Sequence, residues 1–298
     1  MKRFFTILWI GLFFLVPAGA AMAQQKPGEN AALRYWAAFA EMQDSVVTAE
    51  QAKELSLIVE GTAPYSDLKY RDLVEKNRPA LETMIRGTAL PYCDWGIDYG
   101  LGHDAPVDYV RKALELGRLN ILYAFHLTIT GDWNGAVRAL AAGVRFSHDV
   151  GNGGTLFATL VAQKLLSSDL RIMAFSARMQ PQGLSAAQKS TLKRALAQLP
   201  PDGLDWQSAM KREFAVLRMP VRTSEGSNEL DPEAQAALAE IASSYVAMLG
   251  NPTLLPDVQQ KITSAPPPVA DMIPNPKGVL QAKQSLRESI AQINSSLQ

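Results

Sequence analysis

Residues 107–130 constrain the fold most. Val107, Val110, Leu114, Gly117, Ile121, Ala124 and Thr128 recur at helical spacing and form one stripe. Leu119, Leu122, Phe125 and Leu127 then add apolar side chains on the other faces. A helix that is apolar nearly all round must be covered on every side. No span of strict apolar–polar alternation offers strands to cover it. The chain must therefore wrap this helix in other helices.

The flanking sequence supplies them. Asn30–Met42 carries Tyr35, Trp36, Phe39 and Met42 at helix spacing. Thr48 and Gln51 form a capping box for a second helix, which Gly61 and Pro64 end. A third helix runs from Ser66 to Arg86 with a kink or restart at Pro79, which lacks a backbone donor. Gly131 stops the central helix and Asp132 caps the next, whose Ala139, Ala142 and Gly143 allow close backbone approach. "GNGG" (151–154) and Thr155 open another helix to Arg178. Ser185 and Gln188 form a second capping box, for a helix that ends at Pro200-Pro201. Helices near 203–219 and 232–249 follow, the latter started by Asp231-Pro232-Glu233. Residues 220–230 read as a polar loop. The expectation is an all-α fold of about ten helices, joined by short connections as antiparallel neighbours. The pairs 107–150 and 155–199 have similar lengths, as stacked hairpins of a helical repeat do.

The ends set the domain boundaries. Lys2 and Arg3 precede a 13-residue apolar run, Phe4–Val16, and Ala21-Met22-Ala23 fits a small-x-small cleavage site. Residues 1–23 read as a signal peptide, so the expectation is an exported protein, periplasmic or extracellular. The run is shorter than the roughly 20 residues a spanning helix needs, and no stable membrane insertion is expected after cleavage. Residues 24–263 read as one helical domain, and 264–278 (SAPPPVADMIPNPKG) as an extended proline-rich connection. Residues 279–298 read as a final helix docked on the same domain by Val279, Ala282, Leu286, Ile290, Ile293 and Leu297. Removing Lys2 and Arg3 from 29 basic residues leaves 27 against 29 acidic ones, a net charge of −2. That balance offers no footprint for nucleic acid. The single cysteine, Cys93, forms no intrachain disulfide and reads as a small buried hydrophobe, with an intermolecular bridge as the alternative.

The chemistry, if any, points to "LPYCDWGIDYGLGHDAP" (90–106). About 18 residues around it lack helical period, and loops of that length usually carry function. Asp94 and Asp98 are candidate acid–base or binding groups, His103 a proton carrier and Trp95 a platform. Each has a structural alternative. Asp94 folds an Asx turn around Trp95-Gly96, Trp95 plugs a gap between helix layers, Arg111 or Arg118 neutralises Asp98, and Asp104 caps the next helix. His103, His126 and His148 are not spaced as metal ligands, and no zinc or nucleophile motif occurs. No catalytic residue, metal or cofactor is assigned. The two His-Asp pairs, 103–104 and 148–149, read as coincidence.

Three stretches, "ENAALRYWAAFAEM", "CDWGIDYGLG" and "GDWNGAVRALAAGVRFSHDVGNGGTLFATLVAQ", together resemble exported all-helical proteins of environmental bacteria. That resemblance implies architecture and export, and no activity. "AFHLTITGDWNGAVRAL" is similar to a tetratricopeptide turn, with Ala124, Gly131, Asp132 and Ala136 in comparable places. The large-residue signature of that repeat is missing and the first helix is too long, so the expectation is a tetratricopeptide-like or irregular α-solenoid. Such stacks usually bind a protein or peptide partner. The alternatives are a hydrolase-type enzyme using the 94–103 loop, and a carrier of a small apolar ligand. The oligomeric state is left open.

Overall fold

A computed structural model describes residues 27–43, 49–223 and 226–298. The signal-peptide segment, Thr48 of the first capping box and part of the 220–230 loop lie outside the described residues.

The apolar segment forms α5 (Tyr109–Thr130), with fourteen buried residues. Gly131 ends it at φ +83°, a left-handed conformation that a side chain would strain. Asp132 accepts a 2.9 Å hydrogen bond from the Gly135 amide and starts α6 (Trp133–Gly151). With so short a turn the chain must fold straight back. α7 (Leu156–Met179) follows the 151–154 turn. Thr155 holds its N-cap position without a side-chain bond, and the Leu156 amide donates instead to Glu213 Oε2 at 2.9 Å. Helices α5, α6 and α7 pack on one another as the centre of the molecule. Gly143 makes this possible. A Cβ there would lie 2.4 Å from Asp169 Oδ1 of α7 and 2.8 Å from Asn120 Nδ2 of α5.

On one side lie α1 (Ala31–Glu41), α2 (Ala49–Val59), α3 (Asp67–Lys76) and α4 (Arg78–Gly87). Pro79 produces a restart, because the helix breaks at Asn77 and the proline sits in the first turn of α4, where its missing N–H costs nothing. On the other side lie α8 (Ala186–Leu196) and α9 (Trp206–Leu217), then a hairpin of β1 (Val221–Thr223) and β2 (Gly226–Asn228). α10 (Pro232–Gly250), α11 (Leu255–Ser264), α12 (Pro267–Met272) and α13 (Pro276–Ser296) complete the chain. The Ser185–Gln188 box and the Asp231 cap form as expected.

The helices lie in two rows. One runs α3, α5, α7, α9 and the other α4, α6, α8, each helix touching the next. The fold is all-α, a tetratricopeptide-like, irregular α-solenoid of stacked helices. Among the described residues there are thirteen α-helices rather than about ten, because 66–86 splits in two and the C-terminal third holds extra short helices. Among the described residues the expected pairing of sequence neighbours holds for α5 with α6, α6 with α7 and α9 with α10, but not for α1 with α2, α2 with α3, α7 with α8, α8 with α9 or α12 with α13. α8 lies along α6 instead of returning onto α7, carried across by the 180–185 connection. The proline-rich connection is also corrected. Its centre is α12, with Val269 fully buried, and α13 begins at Pro276 on an Asn275 cap rather than at 279. Among the described residues no helix is long and apolar enough to cross a membrane.

Candidate functional site

The loop between α4 and α5 does not bring its polar residues together. Asp94 is exposed, and its Oδ1 accepts the Gly96 amide at 2.9 Å, the Asx turn its spacing favours. Asp98 is exposed too, and its Oδ1 accepts the Gly100 amide at 2.8 Å, starting a short 3-10 helix, Tyr99–Asp104. His103 projects into solvent from that helix. Among the described residues no hydrogen bond joins any two of Asp94, Asp98 and His103. Arg111 pairs with Glu115, and Arg118 lies in the field of Glu60, so neither neutralises Asp98. Asp104 is not the helix cap, because it belongs to the 3-10 helix and α5 starts behind Asp108.

Trp95 is the exception, and its role is packing. It is 8% exposed, with its ring 4.3 Å from that of Tyr109 and stacked at 6.0 Å on Phe39. Its Nε1 donates to the Asp149 carbonyl at 2.8 Å. The segment is also sewn to α1. Asn30 Nδ2 donates to the Asp94 carbonyl at 2.8 Å, its Oδ1 accepts the Asp94 amide at 2.9 Å, and the Ala31 amide donates to the Tyr92 carbonyl at 2.8 Å. The stretch therefore clamps the start of α1 to the end of α6.

The centre of that clamp is Asp149, so the His148-Asp149 pair is not a coincidence of sequence. It is 0% exposed. Its carboxylate accepts the Tyr35 hydroxyl at 2.7 Å and Arg145 Nε at 3.0 Å, and His148 Nδ1 lies at 3.4 Å. Burial, then the Asp149 charge and its hydrogen bond, push the Tyr35 hydroxyl well above the usual tyrosine range, so it stays a donor. Burial likewise raises the Cys93 thiol, which is buried as expected and stays protonated, a poor nucleophile. The only local signal for Asp149 was its place one turn after Arg145.

A second buried acid lies in the core. Asp169 of α7 is 2% exposed, with Oδ2 3.2 Å from the Ser147 hydroxyl and Oδ1 lacking a partner. Burial drives its carboxyl well above the ordinary aspartate range, which favours the neutral acid. His126 bonds Asp67 Oδ1 through Nδ1 at 2.6 Å and lies 3.6 Å from Glu75 through Nε2, which ties α5 to α3. Among the described residues no group of three His, Cys, Asp or Glu side chains is arranged to hold a metal ion.

Besides a depression of about 520 Å³ between α10 and α11, edged by Glu233, Glu240 and Asp257, two bear on binding. The larger, about 880 Å³, lies between the 200–207 turn, the end of α10 and α13. Asp202 there lies 3.1 Å from Lys283 Nζ and 3.9 Å from Arg287 Nη1. The other, about 470 Å³, is a groove above α6, with α4 and α8 as its walls. Its floor is one stripe of α6, including Val137, Ala141 and Ala142, and it carries the side chains of Arg138, Arg145 and Arg194. In comparisons with known proteins, no family model, no curated protein and no solved structure matches this chain.

Proposed function

We propose that this chain is an exported scaffold that binds a protein or peptide partner along its α4–α6–α8 row. The observation that carries the reading is the groove itself. Three helices lie side by side, and the small side chains of the middle one leave an open channel of about 470 Å³. Stacked-helix proteins bind through faces of this kind. The hydrolase reading loses its support, because Asp94 and Asp98 each hold their own turn. The carrier reading needs a mostly apolar, enclosed cavity, and the depression of about 880 Å³, although Leu204, Trp206, Leu249 and Leu280 line it, is an open cleft edged by charged side chains.

Selection of a displayed random-peptide library on the folded protein tests the binding. The scaffold reading expects binders that compete with one another for one site. A selection that enriches nothing above a bare-surface control overturns it. Export rests on residues 1–23 and has its own test. Mass spectrometry of protein recovered outside the cytoplasm of a bacterial host should find the chain starting at Gln24. Retention of Met1 with the protein held inside the cell overturns that part.

A further inference from the structure

We infer that the groove over α6 takes an extended, acidic segment of a partner protein, read by Arg138, Arg145 and Arg194. The inference rests on the scaffold reading and adds the chemistry of the partner. No acidic side chain lines the groove, although three guanidinium groups do. That separates it from the larger cleft, where Asp202, Asp205 and Glu288 face Lys277, Lys283 and Arg287. Arg194 is exposed and has no ion-pair partner among the described residues. Arg138 spends Nη2 on Glu82 at 2.8 Å, and Arg145 spends Nε on Asp149. Both of those acids lie outside the lining, and the rest of each guanidinium fork is left for a ligand carboxylate.

The spacing suits an extended chain. Arg138 and Arg145 are seven residues apart on one face of α6, about 10 Å along the helix axis. Three residues of a peptide in the extended polyproline II conformation span about 9 Å and return the side chain to the same face. Carboxylates at positions i and i+3 therefore reach both arginines, with Arg194 on the opposite wall. Between them the floor of Val137, Ala141 and Ala142 has room for a backbone and no bulky side chain to displace. Asn134, Thr191 and Gln198 supply amide and hydroxyl groups for peptide N–H and C=O. At one end Gln188 Nε2 donates to Asn134 Oδ1 at 2.9 Å, which bridges α8 to α6 and fixes the width. No aromatic side chain lines the groove to stack a base, so the basic surface does not suit single-stranded nucleic acid.

The test is fluorescence anisotropy on the full chain with a labelled decapeptide carrying Glu at every third position among Ala and Ser. A peptide with Gln at those positions is the control. Expected is saturable binding of the Glu peptide, at least about tenfold tighter than the Gln peptide and weaker with added salt. Arg194→Glu should weaken it by about tenfold or more with only a small drop in melting temperature, since Arg194 makes no hydrogen bond or ion pair among the described residues and the fold loses only a favourable charge in the last turn of α8. Arg138→Gln is the second variant and should also weaken binding. Equal binding of both peptides, or Glu-peptide binding that ignores both substitutions, overturns the inference. So does protection of the arginines by inorganic phosphate with no peptide binding, which marks a small-anion site. Self-association abolished by Arg194→Glu also overturns it, because the occupant is then a second copy. If library selection yields mutually competing binders that are neither acidic nor sensitive to Arg194, the acidic segment falls and the scaffold reading stands. If selection yields none, the scaffold reading itself falls.

Discussion

Asp149 serves Tyr35, Trp95 and Arg145 from a position sealed from solvent. Removing one member of a buried charged pair strands the other, at about 3–5 kcal/mol. Asp149→Ala should therefore cost about that much in urea unfolding. Tyr35→Phe, which removes one hydrogen bond and leaves the Arg145 pair, should cost about 1–2 kcal/mol. Equal costs would mean that the Arg145 pair contributes nothing. Asp169 gives a pH prediction of opposite character. Its folded carboxyl titrates above its unfolded value, so the folded chain binds more protons than the unfolded one above about pH 4. This contribution to stability is present at low pH and is lost as pH rises toward the folded value. Asp169→Asn keeps the shape and removes the ionisation. Its melting temperature relative to the parent should rise between pH 4 and pH 7, and a pH-independent difference would count against a buried neutral acid. Of these residues the sequence disclosed only the local behaviour. The Asp94 turn and the Trp95 plug follow from neighbours and amphipathic chemistry. The Asp149 centre needs partners 54 and 114 positions away, which no local pattern carries.

Single helices were more legible, because helix boundaries are written in a few adjacent residues. Asp132, Ser185 and Asp231 cap where their spacing says they should. Asp104 misled because a polar residue before Ala-Pro has the composition of a cap, whereas Asp98 had already started a 3-10 turn there. Pro266–Pro268 misled in the other direction. Prolines fit the first turn of a helix as well as an extended chain, and burial of Val269 decided for the helix. The attachment of α1 is an element-scale property with its own test. Asn30 accepts from Ala32 at 3.1 Å to cap α1 and exchanges two further hydrogen bonds with the Asp94 backbone. Asn30→Ala removes all three, and a lost cap alone costs about 1 kcal/mol. Hydrogen exchange should then accelerate at the first-turn amides of α1 and at Asp94. The amides of α6 and α7 should keep their protection. If protection instead falls evenly across the molecule, α1 is not a separable unit.

At the scale of the whole molecule, the fold class followed from one fact, that a helix apolar on most sides must be enclosed. The order of the rows did not follow, because crossing from α7 to α6 puts α8 where sequence adjacency does not lead. The consequence is a chain closed by its last helix. α13 sets Val279, Leu286, Ile293 and Leu297 on one buried face and packs chiefly on α7, so the final residues cover the centre of the stack. The turn beneath it is fitted to that contact, since a Cβ at Gly203 would lie 2.7 Å from Leu286 Cδ2. Burying a large apolar side chain contributes about 1.5–3 kcal/mol. Four of them contribute about 6–12 kcal/mol as an upper estimate, comparable with the roughly 5–15 kcal/mol total stability of a folded domain. A chain ending at Asn275 should therefore lose its cooperative urea transition and bind a hydrophobic dye. A synthetic peptide of residues 276–298 should restore the transition as its concentration rises, since ligands of the folded state stabilise it by mass action. If the shortened chain unfolds at the full-length midpoint, the helix is an appendage. If it loses the transition and the peptide restores it, the last helix is the closing piece of the same cooperative core that α5 begins.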